Sequence, residues 1–217
     1  MLSLTEENYL KSIFALNEEK DASATTNAIA EKMETKASSV SDMLKRLLKK
    51  ELIHYKKYQA VRLTEKGNKI AVSIIRKHRL WEHFLVEKLH FGWDEVHEVA
   101  EQLEHIRSKK LTDQLDAFLG HPKFDPHGDP IPDKEGNFPM KLNKTLDQIN
   151  ADEETVIIGV KDHSSEFLNY LDRLKIQLGT TIKALQVNDF DSSMDIKIDK
   201  KNQATISHEV AQNLFIK

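Results

Sequence analysis

The sequence predicts a mainly α-helical chain that ends in a small β-barrel. Three observations carry this. Apolar residues recur at helical spacing through roughly the first half of the 217 residues. All five prolines (Pro122, Pro126, Pro130, Pro132, Pro139) then fall within 18 residues, with Gly120, Gly128 and Gly136 in the same stretch. That cluster is the strongest boundary signal in the chain. Beyond it the apolar residues alternate, as in strands.

The elements follow in order. Ser3 and Glu6 form a capping-box pair opening a first helix, with Leu10, Ile13 and Phe14 on its apolar side. Residues 25–33 make a short second helix, capped by Thr25 or Thr26, with Ile29 and Met33 facing inward. Residues 37–50 make a third, with Val40, Leu44, Leu47 and Leu48 at i, i+4, i+7 and i+8. Leu52–Tyr55 and Val61–Leu63 read as two short strands, joined by a tip of Lys56, Lys57, Tyr58 and Gln59. Helix, short helix, tight turn, amphipathic helix and basic hairpin is the order of a winged helix-turn-helix. Two long helices come next. One is capped by Thr64 and runs to about residue 90; the other is capped by Asp94 and runs to about Arg107. Their wide apolar surfaces suggest a homodimer interface, with packing inside one subunit as the competing reading. After the proline cluster, Val156–Val160, Thr180–Val187, Met194–Asp199 and Ala204–Ser207 have strand character, and Phe167–Leu174 reads as a helix between strands. The expected domains are therefore 1–64, which binds DNA, 65–140, helical with a Pro/Gly-rich linker at its end, and 150–217, a barrel with a thin core.

Charge is distributed unevenly. The net charge is −3, yet residues 36–79 carry 13 Lys and Arg against 3 Asp and Glu. Such a block marks a polyanion site; a solvated Lys-rich helix face is the bland alternative. Small hydroxyl residues Ser38, Ser39 and Ser41 begin the third helix and allow close backbone approach. With Lys36, Asp42, Lys45, Arg46, Lys56 and Lys57 they are the expected DNA-contacting set, the cations neutralising phosphates. No cysteine is present, which excludes disulfide scaffolds, iron–sulfur clusters and thiol nucleophiles. No apolar run approaches the ~20 residues of a membrane span, and no signal peptide is visible, so a cytoplasmic protein is expected.

Seven of the ten histidines lie between residues 78 and 127. His78 and Glu82 are i, i+4; His97, Glu101, Glu104 and His105 are i, i+4, i+7 and i+8, so on one continuous helix they share an arc. Imidazole with carboxylate, without thiolate, suits Mn(II), Fe(II) and Zn(II). A solvated helix face is the competing reading. A dinuclear metallohydrolase is also compatible with the carboxylates, but it leaves the basic block unexplained. A winged-helix sensor of an organic ligand accounts for the DNA part but not for the His/Glu register.

Five segments carry a resemblance: E-N-Y-L at Glu7–Leu10, S-S-V-S at Ser38–Ser41, R-K-H-R-L-W-E at Arg76–Glu82, V-H-E-V-A-E-Q-L-E-H at Val96–His105, and F-D-P-H-G-D-P-I-P at Phe124–Pro132. On these the chain resembles the diphtheria toxin repressor family of metal-dependent transcriptional regulators, over essentially its whole length. The resemblance implies an SH3-like (FeoA-type) C-terminal domain and a homodimeric repressor of metal-uptake and homeostasis genes that binds operator DNA. It implies no enzymatic activity, organic cofactor or membrane partner. It also implies two metal sites. A primary site would take Asn8, Glu101, Glu104 and His105. An ancillary site would take His78, Glu82 and His97, completed by His163 and Glu166 from the barrel. Iron-responsive members carry Cys where Glu101 stands, so the carboxylate resembles the manganese branch. That branch has Asp where Asn8 stands, and its short members have Glu at Lys11. Asn8 offers a carbonyl oxygen without charge, and a protonated Lys11 is no ligand. Mn(II) is the expected metal, Fe(II) next, with Zn(II), Co(II) or Ni(II) accepted in vitro.

Overall fold

The computed structural model describes residues 2–18, 23–56, 59–139 and 144–217. The chain forms two compact units: residues 1–78, 102–113 and 132–137 in one, and 79–101, 114–131 and 138–217 in the other.

The first unit holds the winged helix-turn-helix. Helix α1 (Leu4–Glu18) opens on the expected capping box: Ser3 N donates to Glu6 Oε2 at 2.8 Å and Glu6 N to Ser3 Oγ at 3.2 Å. Thr25 caps α2 (Thr26–Lys32) by accepting from Ala28 N. Helix α3 (Ala37–Lys49) buries Val40, Leu44 and Leu47 on one side, and Leu48, expected with them, stays exposed. These side chains pack with Leu10, Ile13, Ile29, Leu52, Ile53 and Val61 in one core, where each fully buried leucine contributes ~1.5–3 kcal/mol. The wing is shorter than its sequence suggests: β1 (Ile53–His54) and β2 (Arg62–Leu63) pair over two residues each. Thr64 caps α4 (Glu65–Leu89) through Gly67 N, and Gly67 packs so closely that a Cβ there would collide with the Leu52 carbonyl.

The second unit is built on a five-stranded antiparallel sheet in the order β6-β5-β4-β3-β7. Its strands are β3 (Glu154–Val160), β4 (Thr181–Val187), β5 (Met194–Ile198), β6 (Asn202–Ile206) and β7 (Leu214–Ile216). Met194, Ile196 and Ile198 alternate inward as read from the sequence. They pack with Ile157, Ile182, Leu168 and Leu171, the last two from the helix at Ser165–Leu174. The short helix at His208–Gln212 and strand β7 were not anticipated; β7 closes the sheet edge by pairing Ile216 with Ile157.

One helix differs from expectation. Helix α5 (Val96–Leu103) stops four residues before Arg107, and α6 (Lys109–Phe118) begins with Leu111 N donating to Ser108 Oγ. Ser108 competes for the chain as an N-cap, so residues 104–108 leave the helix. Glu104 and His105 therefore lie in the turn after α5, not on a shared arc with His97 and Glu101. Among the described residues the remaining α-helices are α7 (Ser165–Leu174) and α8 (His208–Gln212). Among the described residues, no helix is long and apolar enough to cross a membrane.

Candidate metal centre

In the first unit, the turn after α5 meets α1 and α4. Glu104 is completely buried. Its Oε2 lies 2.6 Å from His78 Nδ1 and accepts from Lys11 Nζ at 2.8 Å. Burial works to raise the Glu104 pKa, but the hydrogen bonds from His78 and Lys11 outweigh it and hold the carboxyl below its ordinary value. Next to it, His105 Nδ1 lies 2.7 Å from Glu7 Oε2, and His105 Nε2 faces Glu104 Oε1 at 3.8 Å. An imidazole that gives one N–H to a carboxylate has its other nitrogen's lone pair fixed in direction, an arrangement that orients metal-binding histidines.

The fit to a cation rests on two oxygens. Asn8 Oδ1 and Glu104 Oε1 are both buried and have no hydrogen-bond partner. Buried acceptors without partners are rare and costly. A divalent cation within reach would supply the partner that each lacks. Glu7 and Lys11, which flank Asn8 on α1, reach His105 and Glu104. Glu7 was missed in the sequence: it belongs to the E-N-Y-L segment, but nothing in its spacing marks it as the carboxylate that orients His105.

The second unit carries another ionisable cluster. Glu82 is buried, with Oε1 3.3 Å from His97 Nδ1 and Oε2 3.7 Å from His127 Nδ1. His97 Nε2 also lies 3.6 Å from Glu101, so Glu101 pairs with His97 within this unit. His78 and Glu82 stand one turn apart on α4. Asp125 and His127 are buried and were not among the predicted ligands. Burial, with Glu82 and Asp129 nearby, pushes the Asp125 carboxyl up to about 7. Burial pulls His127 down, but Glu82 and Asp125 more than compensate and raise it to about 9. His163 stacks on His127 with centroids 4.9 Å apart, its Nε2 3.3 Å from the Val160 carbonyl. Glu166 is exposed on the first turn of α7.

The comparisons with known proteins agree with this organisation. Residues 1–61 match the iron-dependent repressor N-terminal DNA-binding domain, 64–133 the iron-dependent repressor metal-binding and dimerisation domain, and 144–217 the FeoA domain. A solved manganese-dependent transcriptional repressor in complex with manganese is 31% identical with a TM-score of 0.82, covering 97% of this chain and 98% of that one. The chain belongs to the diphtheria toxin repressor family. The manganese regulator SloR, 34% identical, aligns at a TM-score of 0.73 over 98% of this chain and 97% of its own. The iron-dependent repressor IdeR of Mycobacterium tuberculosis is 35% identical over 128 residues, 59% of this chain and 55% of the relative. The diphtheria toxin repressor of Corynebacterium jeikeium is 32% identical over 128 residues, 53% of its length. The chain thus spans about half the length of the curated relatives it matches.

In this family member the expected DNA face is solvent-exposed. Lys36, Ser38, Ser39, Asp42, Lys45, Arg46 and Lys56 are exposed, and Ser41 is half-buried with its hydroxyl bonded to the Ala37 carbonyl at 2.9 Å. Asp42 is held by Lys45 at 2.9 Å. Lys57 lies outside the described residues.

Proposed function

We propose that this chain is a homodimeric, metal-activated repressor that binds double-stranded operator DNA and controls metal-uptake genes. The observation that carries the reading is the pair of buried oxygens without a hydrogen-bond partner, Asn8 Oδ1 and Glu104 Oε1, on elements joined by the Lys11–Glu104 and Glu7–His105 contacts. When bound, a divalent cation supplies the positive charge that these oxygens and His105 share. Glu7 holds His105 in orientation, and Glu104 offers its free oxygen beside it. Asn8 comes from α1, whose apolar face is part of the winged-helix core. Restraint on α1 is therefore restraint on the helix-turn-helix, and in a dimer it sets two recognition helices about one DNA turn, ~34 Å, apart.

Mn(II) is the preferred metal on this reading, with Fe(II) next. The donors are oxygen and imidazole, and the chain has no thiolate to offer. Glu101, with Asn8, Glu104 and His105, belongs to the primary set by family resemblance. The ancillary set is His78, Glu82 and His97, with His163 and Glu166 as barrel candidates. The test is Glu104→Ala. The account expects a folded dimer that no longer gains DNA affinity with Mn(II). A full metal response in that variant refutes the site.

A further inference from the structure

We infer that the Asp42 carboxylate selects a cytosine in each half-site of the operator, accepting a hydrogen bond from the N4 amino group in the major groove. The inference rests on the reading that this chain binds double-stranded DNA, and adds the base that one side chain chooses. Asp42 is the only acid in α3, a helix that also carries Lys45, Arg46 and Lys49. Its side chain is 69% exposed, and the lysine that it pairs with is 72% exposed. A surface carboxylate of this kind contributes little to the fold. On a helix that faces a polyanion it also opposes binding, so its presence there calls for a partner on the DNA.

The core of the first unit fixes where Asp42 points. Val40, Leu44 and Leu47 are fully buried and set the inward direction of α3. At 100° per residue, Asp42 falls within about 15° of the direction opposite their mean, and Ser38, one turn earlier, within about 30°. Lys45 and Arg46 stand roughly 50° to either side of that line. A recognition helix lies in the major groove with its N-terminal residues toward the base edges, while flanking side chains meet the phosphates. Asp42 belongs to the first two turns of α3 and to the centre of its outer face. The two cations beside it are placed for the backbone.

The chemistry of the groove then narrows the partner. A carboxylate set against phosphates costs affinity through like-charge repulsion. Two groups on the base edges of the groove donate hydrogen bonds, cytosine N4 and adenine N6. Adenine N6 stands beside N7, an acceptor that repels a carboxylate, whereas cytosine presents no acceptor on its own edge. Guanine and thymine present acceptors and are rejected. Lys45 Nζ donates to Asp42 Oδ1 at 2.9 Å. That bond and the charge behind it hold the carboxyl below its ordinary value, so it is an acceptor at neutral pH. The bond takes Oδ1 and leaves Oδ2 for the base. The neighbouring Ser41 hydroxyl is turned back on the Ala37 carbonyl at 2.9 Å. Asp42 is thereby the acceptor that this part of the face offers to DNA.

The test selects binding sites from a random-sequence duplex pool with the full chain in Mn(II), and repeats the selection with Asp42→Asn and Asp42→Ala. Because Asp42 is exposed, both variants should keep the fold, which circular dichroism checks. The parent should enrich cytosine at one position of each half-site. Asp42→Asn should enrich adenine there instead, since an amide matches N6 and N7 together. Asp42→Ala should lose the preference at that position and keep the others. Exchanging that C·G pair for T·A should weaken the parent at least ~10-fold and leave Asp42→Ala unaffected. On unrelated duplex DNA, Asp42→Ala should bind more tightly than the parent, because one repulsive charge is gone. A parent that selects no DNA sequence removes the DNA-binding reading and this inference with it. A parent that selects a site, with the same base preferences at every position in both variants, overturns the inference alone and leaves the DNA-binding reading standing.

Discussion

Lys11 Nζ lies 2.8 Å from Oε2 of Glu104, a carboxylate with no solvent exposure. An ammonium ion fixed on the chain thereby supplies part of the positive charge that Glu104 needs in the metal-free state.

Lys11→Met should therefore weaken the metal-free protein more than the metal-bound one. Removing one partner of a buried ion pair leaves a charge uncompensated. His78 still contacts Glu104, so the cost is ~1–3 kcal/mol, short of a full buried-pair loss. Thermal unfolding with and without Mn(II) measures it. The rise in Tm on adding Mn(II) should be larger in the variant than in the parent. An equal rise in both means that Lys11 does not stand in for cation charge.

Arg46 is exposed on α3. Arg46→Ala should lower DNA affinity and make the slope of log K against log salt shallower by ~0.9, the signature of one lost phosphate contact. Fluorescence anisotropy across a salt series reads this. A parallel line displaced downward would instead assign Arg46 to base recognition.

The metal-free protein should lose stability as pH rises through neutrality. His127 is raised to about 9 in the folded chain from an ordinary value of 6.5. A raised histidine stabilises fully below about 6.5, and that contribution is lost as pH climbs through 9. It amounts to ~3 kcal/mol at most. Asp125, raised to about 7, has the same sign, because the folded state holds its proton more tightly than the unfolded chain does. In chelator, Tm should fall between pH 6.5 and 9, and His127→Gln should flatten that decline. A Tm that climbs over this range contradicts the assignment.

Much of the fold was legible because local signals agreed with packing. Ser3 and Glu6 announced α1, and Val40, Leu44 and Leu47 announced the buried side of α3. The break after Leu103 was not legible, because the His97-to-His105 spacing suits one continuous helix and only the Ser108 cap redirects the chain. Within the candidate sites, Glu104 and His105 stood out by residue type. Glu7 did not, because its role depends on α1 meeting the turn after α5, a contact some 98 positions apart in sequence. Asp125 and His127 lay in a recognised motif but in a loop, where no periodicity gives direction to a side chain.

The central claim is that metal and DNA bind the same conformation. Linkage then requires each to raise the affinity for the other by one factor. The direct measurement is calorimetric titration of Mn(II) into the protein alone and into its complex with a DNA fragment selected from a random-sequence pool. The account predicts tighter Mn(II) binding on DNA, by the factor with which Mn(II) tightens DNA binding. Equal Mn(II) affinity in the two titrations would contradict it.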